Sequence, residues 1–251
     1  MKDKWTIRLK IKRISKYVMI FSLIFLVILS GFTLYGDKVG NFVVVLKEDK
    51  VKIAACLTKD LENDRTSRFD VPGIEYLEPT TYRDLPDGIP QDIGIKNDIK
   101  NRYMAFSFYL LNLTERAINY DISVHILDEL PGTMDKRFKP SDALRVLILE
   151  ERGMDENLEG SAILKEDGEI YARDEDNEEG IHELEAAGYP AGKVLGFLDQ
   201  DGVIISRKEI PFETDEVKKY TVVLWLEGYD ISCKTELIGG RLKMKMSIEA
   251  Y

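Results

Sequence analysis

The sequence predicts a mainly β protein, an antiparallel β-sandwich preceded by one transmembrane α-helix. Three observations lead there. Residues 17–35 (YVMIFSLIFLVILSGFTLY) carry no charge. Beyond them, about ten short apolar or alternating segments are separated by turn residues. Almost no stretch has the apolar period of an amphipathic helix, and one core suits a chain of 251 residues better than two.

The apolar run divides the chain's charge. Residues 1–36 hold seven basic groups against one acid, Asp3, and the rest holds 28 against 44, giving +6 and −16. At ~1.5 Å per residue a helix over 17–35 matches a hydrocarbon core about 30 Å thick. Tyr17 and Tyr35 sit at its two ends, where amphipathic rings favour the interface. The basic excess on the N-terminal side predicts a cytoplasmic tail over 1–16, a signal anchor over 17–35 and an extracellular domain over 36–251. The rival is a cleaved signal peptide, but the run exceeds the usual apolar h-region and the small-x-small pattern near Gly31 is poor. A domain at −16 repels nucleic acid, whose binding depends on Lys and Arg displacing counterions. The expected partners are the lipid bilayer, through 17–35, and other surface proteins or the chain itself.

Along the outer domain, Asn41–Leu57 reads as a hairpin of FVVVL and VKIAACL around Lys47-Glu48-Asp49-Lys50. Residues 58–102 are polar and punctuated by Pro and Gly, a long irregular loop with room for short strands or a helical turn. In Tyr103–Leu110 only Ser107 is polar, the mark of a strand covered on both faces. Ile118–Ile126 alternates strictly, with Asn119, Asp121, Ser123 and His125 on the wet side. Ala143–Leu149 (ALRVLIL) is a further strand. Ser161–Leu164 with Glu169–Ala172 reads as a short hairpin, and Leu184–Ala187 as a helical turn. Lys193–Leu198 and Val203–Arg207 flank Asp199-Gln200-Asp201-Gly202, a hairpin signal because Asp-Gly accepts positive φ. Tyr220–Leu226 and Arg241–Ile248 close the domain, the latter alternating Leu242, Met244, Met246 and Ile248 with polar residues.

No catalytic constellation emerges from the spacing. His125 lies on a wet strand face without identifiable partners, and His182 opens HELEA, which lacks the second histidine of a zinc HExxH site. Asp199 and Asp201 resemble part of a calcium loop, but a β-like segment follows at once and a hairpin turn reads better. The acidic run Asp174, Glu175, Asp176, Glu178 and Glu179 reads as a solvated loop. Cys56 and Cys233 are the only cysteines, and an external location would permit a disulfide between them. Asn112-Leu113-Thr114 fits a glycosylation sequon. No cofactor is expected.

Two segments carry a family likeness. One is Tyr103–Asn112 (YMAFSFYLLN) with the INYDISV and ALRVLI strands that follow. The other runs over Tyr220–Met246 (YTVVLWLEGYDISC…LIGGRLKMKM), with Trp225, Glu227, Gly228, Gly239 and Gly240 at its heart beside Cys233. Together they resemble membrane-anchored or exported proteins of Gram-positive bacteria that are distantly similar to the TasA/camelysin class of exported β-sandwich proteins. Ile231 stands where a proline is usual. The resemblance implies a jelly-roll-like sandwich, a surface or matrix role and no catalytic residues; strand donation by relatives directs attention to the N-terminal segment Val39–Leu57. The expected function is therefore a non-enzymatic, membrane-tethered surface protein acting by binding or assembly. The alternatives are a cell-wall-acting hydrolase using acids in a cleft and the sensory ectodomain of a membrane complex.

Overall fold

The computed structural model describes residues 17–26, 42–47, 53–58, 60–73, 76–89, 94–97, 102–153, 164–173, 187–190, 194–198 and 201–251. The chain divides into two compact units, Met1–Val39 and Gly40–Tyr251. In the first, residues 17–26 are helical and every one is exposed. No helix among the described residues is long and apolar enough to cross a membrane; the remainder of the predicted span, 27–35, lies outside them.

The second unit is mainly β. Its described strands are β1 (Phe42–Lys47), β2 (Ile53–Cys56), β3 (Arg65–Thr66), β4 (Arg68–Val71), β5 (Gly94–Asn97), β6 (Tyr103–Asn112), β7 (Ile118–Leu130), β8 (Leu144–Gly153), β9 (Glu169–Ala172), β10 (Val194–Gly196), β11 (Val203–Phe212), β12 (Val217–Leu226) and β13 (Arg241–Ala250). One sheet has the order β11-β7-β13-β1-β4; the other has β10-β9-β8-β12-β6-β2-β3, with β5 also on β6. Both sheets are mixed rather than purely antiparallel, because β1 runs parallel to β13 and β10 parallel to β9.

The main core lies between the sheets. Phe42, Val44, Tyr120, Ile122, Met246 and Ile248 from the first meet Phe106, Phe108, Val146, Tyr220 and Val222 from the second in one buried cluster. The predicted alternations account for it. In β7 Tyr120, Ile122 and Val124 are buried while Asn119, Asp121, Ser123 and His125 face outward, and in β13 Met244, Met246 and Ile248 point into the core. All ten residues of β6 are buried, because the outer face of its sheet is also covered. Tyr82, Leu85, Ile89, Ala187 and Tyr189 lie there against Tyr103, Leu147, Val223 and Trp225 in a second cluster. A third joins Cys56, Tyr109, Leu111 and Val217 beneath Leu61.

Two predicted hairpins are not formed. FVVVL and VKIAACL part company: β1 pairs with β13 and β4, and β2 with β6 and β3, in the opposite sheet. Each is an apolar strand that finds burial in a different layer, β2 throughout and β1 at all positions but Val45 and Lys47. Likewise β10 joins β9 while β11 joins β7. The turn before β11 still has Asp201 at φ 51° and Gly202 at φ 78°. Ser161–Leu164 forms no described strand: 161–163 lie outside the described residues, and the 3-10 turn Lys165–Asp167 precedes β9, which pairs with β8 and β10. The polar stretch 58–102 holds short strands and a helical turn of the kind expected there: β3, β4, β5 and the 3-10 turn Tyr82–Asp84, together with the cover of the second cluster.

Candidate functional site

The densest arrangement of buried polar groups surrounds the sequence Trp225-Leu226-Glu227-Gly228. Alternation along β12 sends Leu224 inward and Trp225 outward, so Glu227, two residues on, shares the outer face with the indole. Glu227 is 2% exposed. Its Oε2 accepts from the Tyr189 hydroxyl at 2.5 Å, the Trp225 Nε1–H at 3.1 Å and the Tyr82 N–H at 3.3 Å, and its Oε1 from the Tyr229 N–H at 3.2 Å. Burial, reinforced by the Glu227 charge, pushes the Tyr189 phenol well above its ordinary range and keeps it a donor. Tyr82 stacks on Tyr189 with ring centroids 5.0 Å apart, and burial lifts its phenol to about 12. Lys165 ties down the same segment, donating to the carbonyls of Tyr82, Arg83 and Leu85.

Beside this cluster Arg145 Nη2 donates to Asp230 Oδ2 at 2.5 Å, with both side chains almost fully buried. Asp230 Oδ1 accepts the Ser232 N–H at 2.7 Å. Together Glu227 and Asp230 fix the base of the loop that leads from β12 to β13. Four donors converge on the Glu227 carboxylate, which satisfies a buried acceptor that water does not reach.

A second polar cluster bridges the sheets. Lys218 of β12 is 0% exposed; its Nζ lies 3.3 Å from Glu150 Oε1 and donates to the Pro211 carbonyl. It also stands 5.0 Å from the Tyr120 ring centroid. Glu150 of β8 receives Arg207 of β11 at 2.9 Å and Arg152 at 2.9 Å. Burial alone would raise the Glu150 carboxyl, but Lys218, then Arg207 and Arg152, hold it below the ordinary range. Burial lowers Lys218, only partly offset by Glu150 and Glu216. The Tyr120 and Tyr220 hydroxyls hydrogen-bond to each other across the same gap.

His125 sits on the outer face of the first sheet, where its Nε2 and the Ser123 hydroxyl lie 2.9 Å apart. A serine–histidine pair needs a carboxylate to orient and stabilise the imidazolium. Here burial comes first and Lys245 and Lys47 second in lowering the histidine's affinity for a proton. The charges near it are thus of the wrong sign for a general base, and the pair is read as surface polar packing.

The remaining predicted site residues are dispersed. Asp201 lies in its turn, whereas Asp199, His182 and the acidic run 174–179 fall outside the described residues. Among the described residues no group of three or more His, Cys, Asp or Glu is placed to hold a metal. Cys56 and Cys233 are both free thiols, each raised to about 11 by burial first. Cys56 stands opposite Tyr109 and Trp225 opposite Tyr103, so about 20 Å of β6 separates the two positions. Cys233 lies beyond the Trp225 end, near Asp230, and the two sulfurs are out of reach of a bond that needs Cα atoms within about 7 Å. The sequon asparagine is a structural lock. The Asn112 amide donates to the carbonyls of Arg116, Phe212 and Glu213, and its oxygen accepts from Thr114.

Gly239 and Gly240 serve close packing between loops. Gly239 has φ +82°, and a Cβ there would meet Thr133 Cγ2 at 2.5 Å; one on Gly240 would meet Pro140 Cγ at 2.8 Å. A Cβ on Gly228 would make only ordinary contacts. Sequence reasoning singled out Glu227 and Trp225 but not Tyr82, Tyr189, Arg145, Asp230, Lys218 or Glu150. The available signal was a charge inside an apolar strand, Arg145 in ALRVLIL and Lys218 just ahead of YTVVLWL. No protein-family model matches the chain, and no curated protein does.

Proposed function

We propose that this chain is a membrane-tethered bacterial surface protein that acts by binding or assembly through a jelly-roll-like β-sandwich held outside the cell. The observation that carries this reading is the uncharged run 17–35 between a +6 tail and a −16 remainder. Lipid is the most favourable place for that run, and the basic flank resists translocation. The engagement of the buried acids supports a binding rather than a catalytic role. Glu227, Glu150, Glu151 and Asp230 are each held by side-chain or backbone donors. The likeness to the TasA/camelysin class points the same way.

Alkaline carbonate extraction, combined with protease treatment of intact cells, tests the tether and its orientation together. The full chain is expected in the membrane pellet, with external protease removing the β domain and leaving the basic tail protected. Recovery of the intact chain in the soluble cytosolic fraction would overturn the proposal.

A further inference from the structure

We infer that the turn Tyr82–Asp87 is a monovalent-cation site in which the Lys165 ammonium stands where a free potassium or ammonium ion would bind, and that the strap 80–89 closes over the second sheet only when this site is filled. The inference concerns the β domain alone and does not depend on where that domain is held. Lys165 Nζ has four oxygens around it. They are the Leu85 carbonyl at 2.6 Å, the Tyr82 carbonyl at 3.2 Å, the Arg83 carbonyl at 3.3 Å and Asp87 Oδ1 at 3.3 Å. The nitrogen also stands over the Tyr82 ring, 5.1 Å from its centroid. Three carbonyls use the three N–H groups of an ammonium. Carbonyls converging on one point, with an aromatic face beside them, replace the water shell of a monovalent cation. A calcium ion takes about 6–8 oxygens, usually with several carboxylates, whereas a single carboxylate contributes here.

The backbone creates the demand for a cation. A 3-10 turn over Tyr82–Asp84 leaves its last carbonyls without donors inside the turn. The Tyr82 carbonyl accepts the Leu85 N–H, but among the described residues no backbone N–H reaches the Arg83 or Leu85 carbonyl. Leu85 is 2% exposed, so water offers its carbonyl little substitute. The local charge favours a cation as well. The strap 80–89 and the 3-10 turn Lys165–Asp167 hold Asp84, Asp87, Glu166 and Asp167 against Arg83 and Lys165 itself. Glu166, Asp87 and Asp167 each add to the rise of the Tyr82 phenol that burial begins, which places their charges close to the cage. Farther out the charges are matched, with Glu169 meeting Arg207 at 3.4 Å and Asp230 meeting Arg145.

Filling the cage fixes the strap. At its start, Thr80 is paired with Leu226 and Gly228, and the Thr81 hydroxyl donates to the Ala187 carbonyl at 3.1 Å. From Tyr82 onward, the polar ties to the rest of the described domain are the Tyr82 N–H on Glu227 and the contacts of Lys165. The same stretch supplies Tyr82, Leu85 and Ile89, which cover Leu147, Val223 and Trp225. Closure over this apolar floor therefore depends on positive charge at one point. Lys165 delivers that charge from the far side of the strap, as a compact cation on a long stem.

The test is Lys165→Ala in the full-length chain, in detergent, with choline, potassium or ammonium chloride at equal ionic strength, read by amide hydrogen exchange. In choline chloride, exchange at Tyr82, Asp84 and Leu85 is expected to be at least about tenfold faster than in the wild type. Potassium and ammonium should reverse most of that rise, while the wild type exchanges alike in all three salts. An unchanged rate in Lys165→Ala overturns the inference. So does a faster rate that the three salts leave equal, because the lysine then acts only by packing and donating. Should Lys165→Ala fail to fold, the wild type decides through NMR of nitrogen-labelled lysine. A slowly exchanging ammonium resonance with Overhauser contacts to the Tyr82 ring upholds the caged cation, and the lack of one overturns it.

Discussion

Glu227 illustrates how one buried carboxylate can set the local structure of a sheet face. It collects donors from β12, from the turn at Tyr82 and from Tyr189, groups as far as 145 residues apart in the chain. Removing the acceptor strands those donors away from water, and each orphan costs about 1–3 kcal/mol. Glu227→Ala is expected to destabilise the domain by about 3–5 kcal/mol. Glu227→Gln, which keeps one carbonyl oxygen but adds an amide donor among donors, should cost roughly 1–3 kcal/mol. Urea unfolding measures both, and near-UV circular dichroism of Trp225 should weaken in the alanine variant first. Equal midpoints for wild type and Glu227→Ala would show that the carboxylate does not hold this face together. The sequence exposed Glu227 only through its neighbourhood. Tyr82 and Tyr189 come from polar, Pro-punctuated stretches with no pattern that announces a stacked pair, and Arg145 was visible as a charge in an apolar strand without its partner Asp230.

At the scale of elements, the link between β8, β12 and β11 rests on a lopsided ion cluster. Glu150 faces Lys218, Arg207 and Arg152, so the loss of one cation leaves it paired, whereas its own loss leaves buried Lys218 with only Glu216 at 4.0 Å and Arg207 with Glu169 at 3.4 Å. Lys218 is also the group for which burial outweighs what its carboxylates return. Lys218→Met is therefore expected to cost less than about 1.5 kcal/mol, and Glu150→Ala about 3–5 kcal/mol. The pH dependence follows from the direction of the Glu150 shift. A carboxyl held low in the folded state contributes stability that is present above its unfolded pKa, about 4.3, and is lost as pH falls through the folded value. Between pH 6 and pH 3 the wild type should lose more stability than Glu150→Ala, as read from urea midpoints at each pH. Strand identities were largely legible because burial repeats with period two in β7 and β13 and is continuous in β6. Pairing was less so. The turn signals around residues 47–50 and 199–202 mark reversals, but a local turn carries no information about which of two stacked sheets will bury each flank.

For the whole molecule, the division of the chain at Val39 and Gly40 leaves β1 on the side of the β domain. That strand is no peripheral arm. It lies between β13 and β4 with register pairs from Phe42–Met244 to Lys47–Glu249, and Phe42, Val44 and Leu46 are buried in the main core. The sequence marks 17–35 and FVVVL alike as apolar, yet physics separates them. The first is a 19-residue uncharged run suited to lipid, the second a six-residue strand suited to a sheet. A chain starting at Gly40 should therefore keep the denaturation midpoint of the full-length protein, measured in the same detergent. A chain starting at Val51 loses three buried side chains worth about 2–5 kcal/mol each. The total is comparable with the entire 5–15 kcal/mol that stabilises an ordinary domain. It also exposes the β13 edge, an open template for association. The expected result is a cooperative transition for the first chain and aggregation without one for the second; a folded, monomeric chain from Val51 would show that β1 is dispensable to the sandwich.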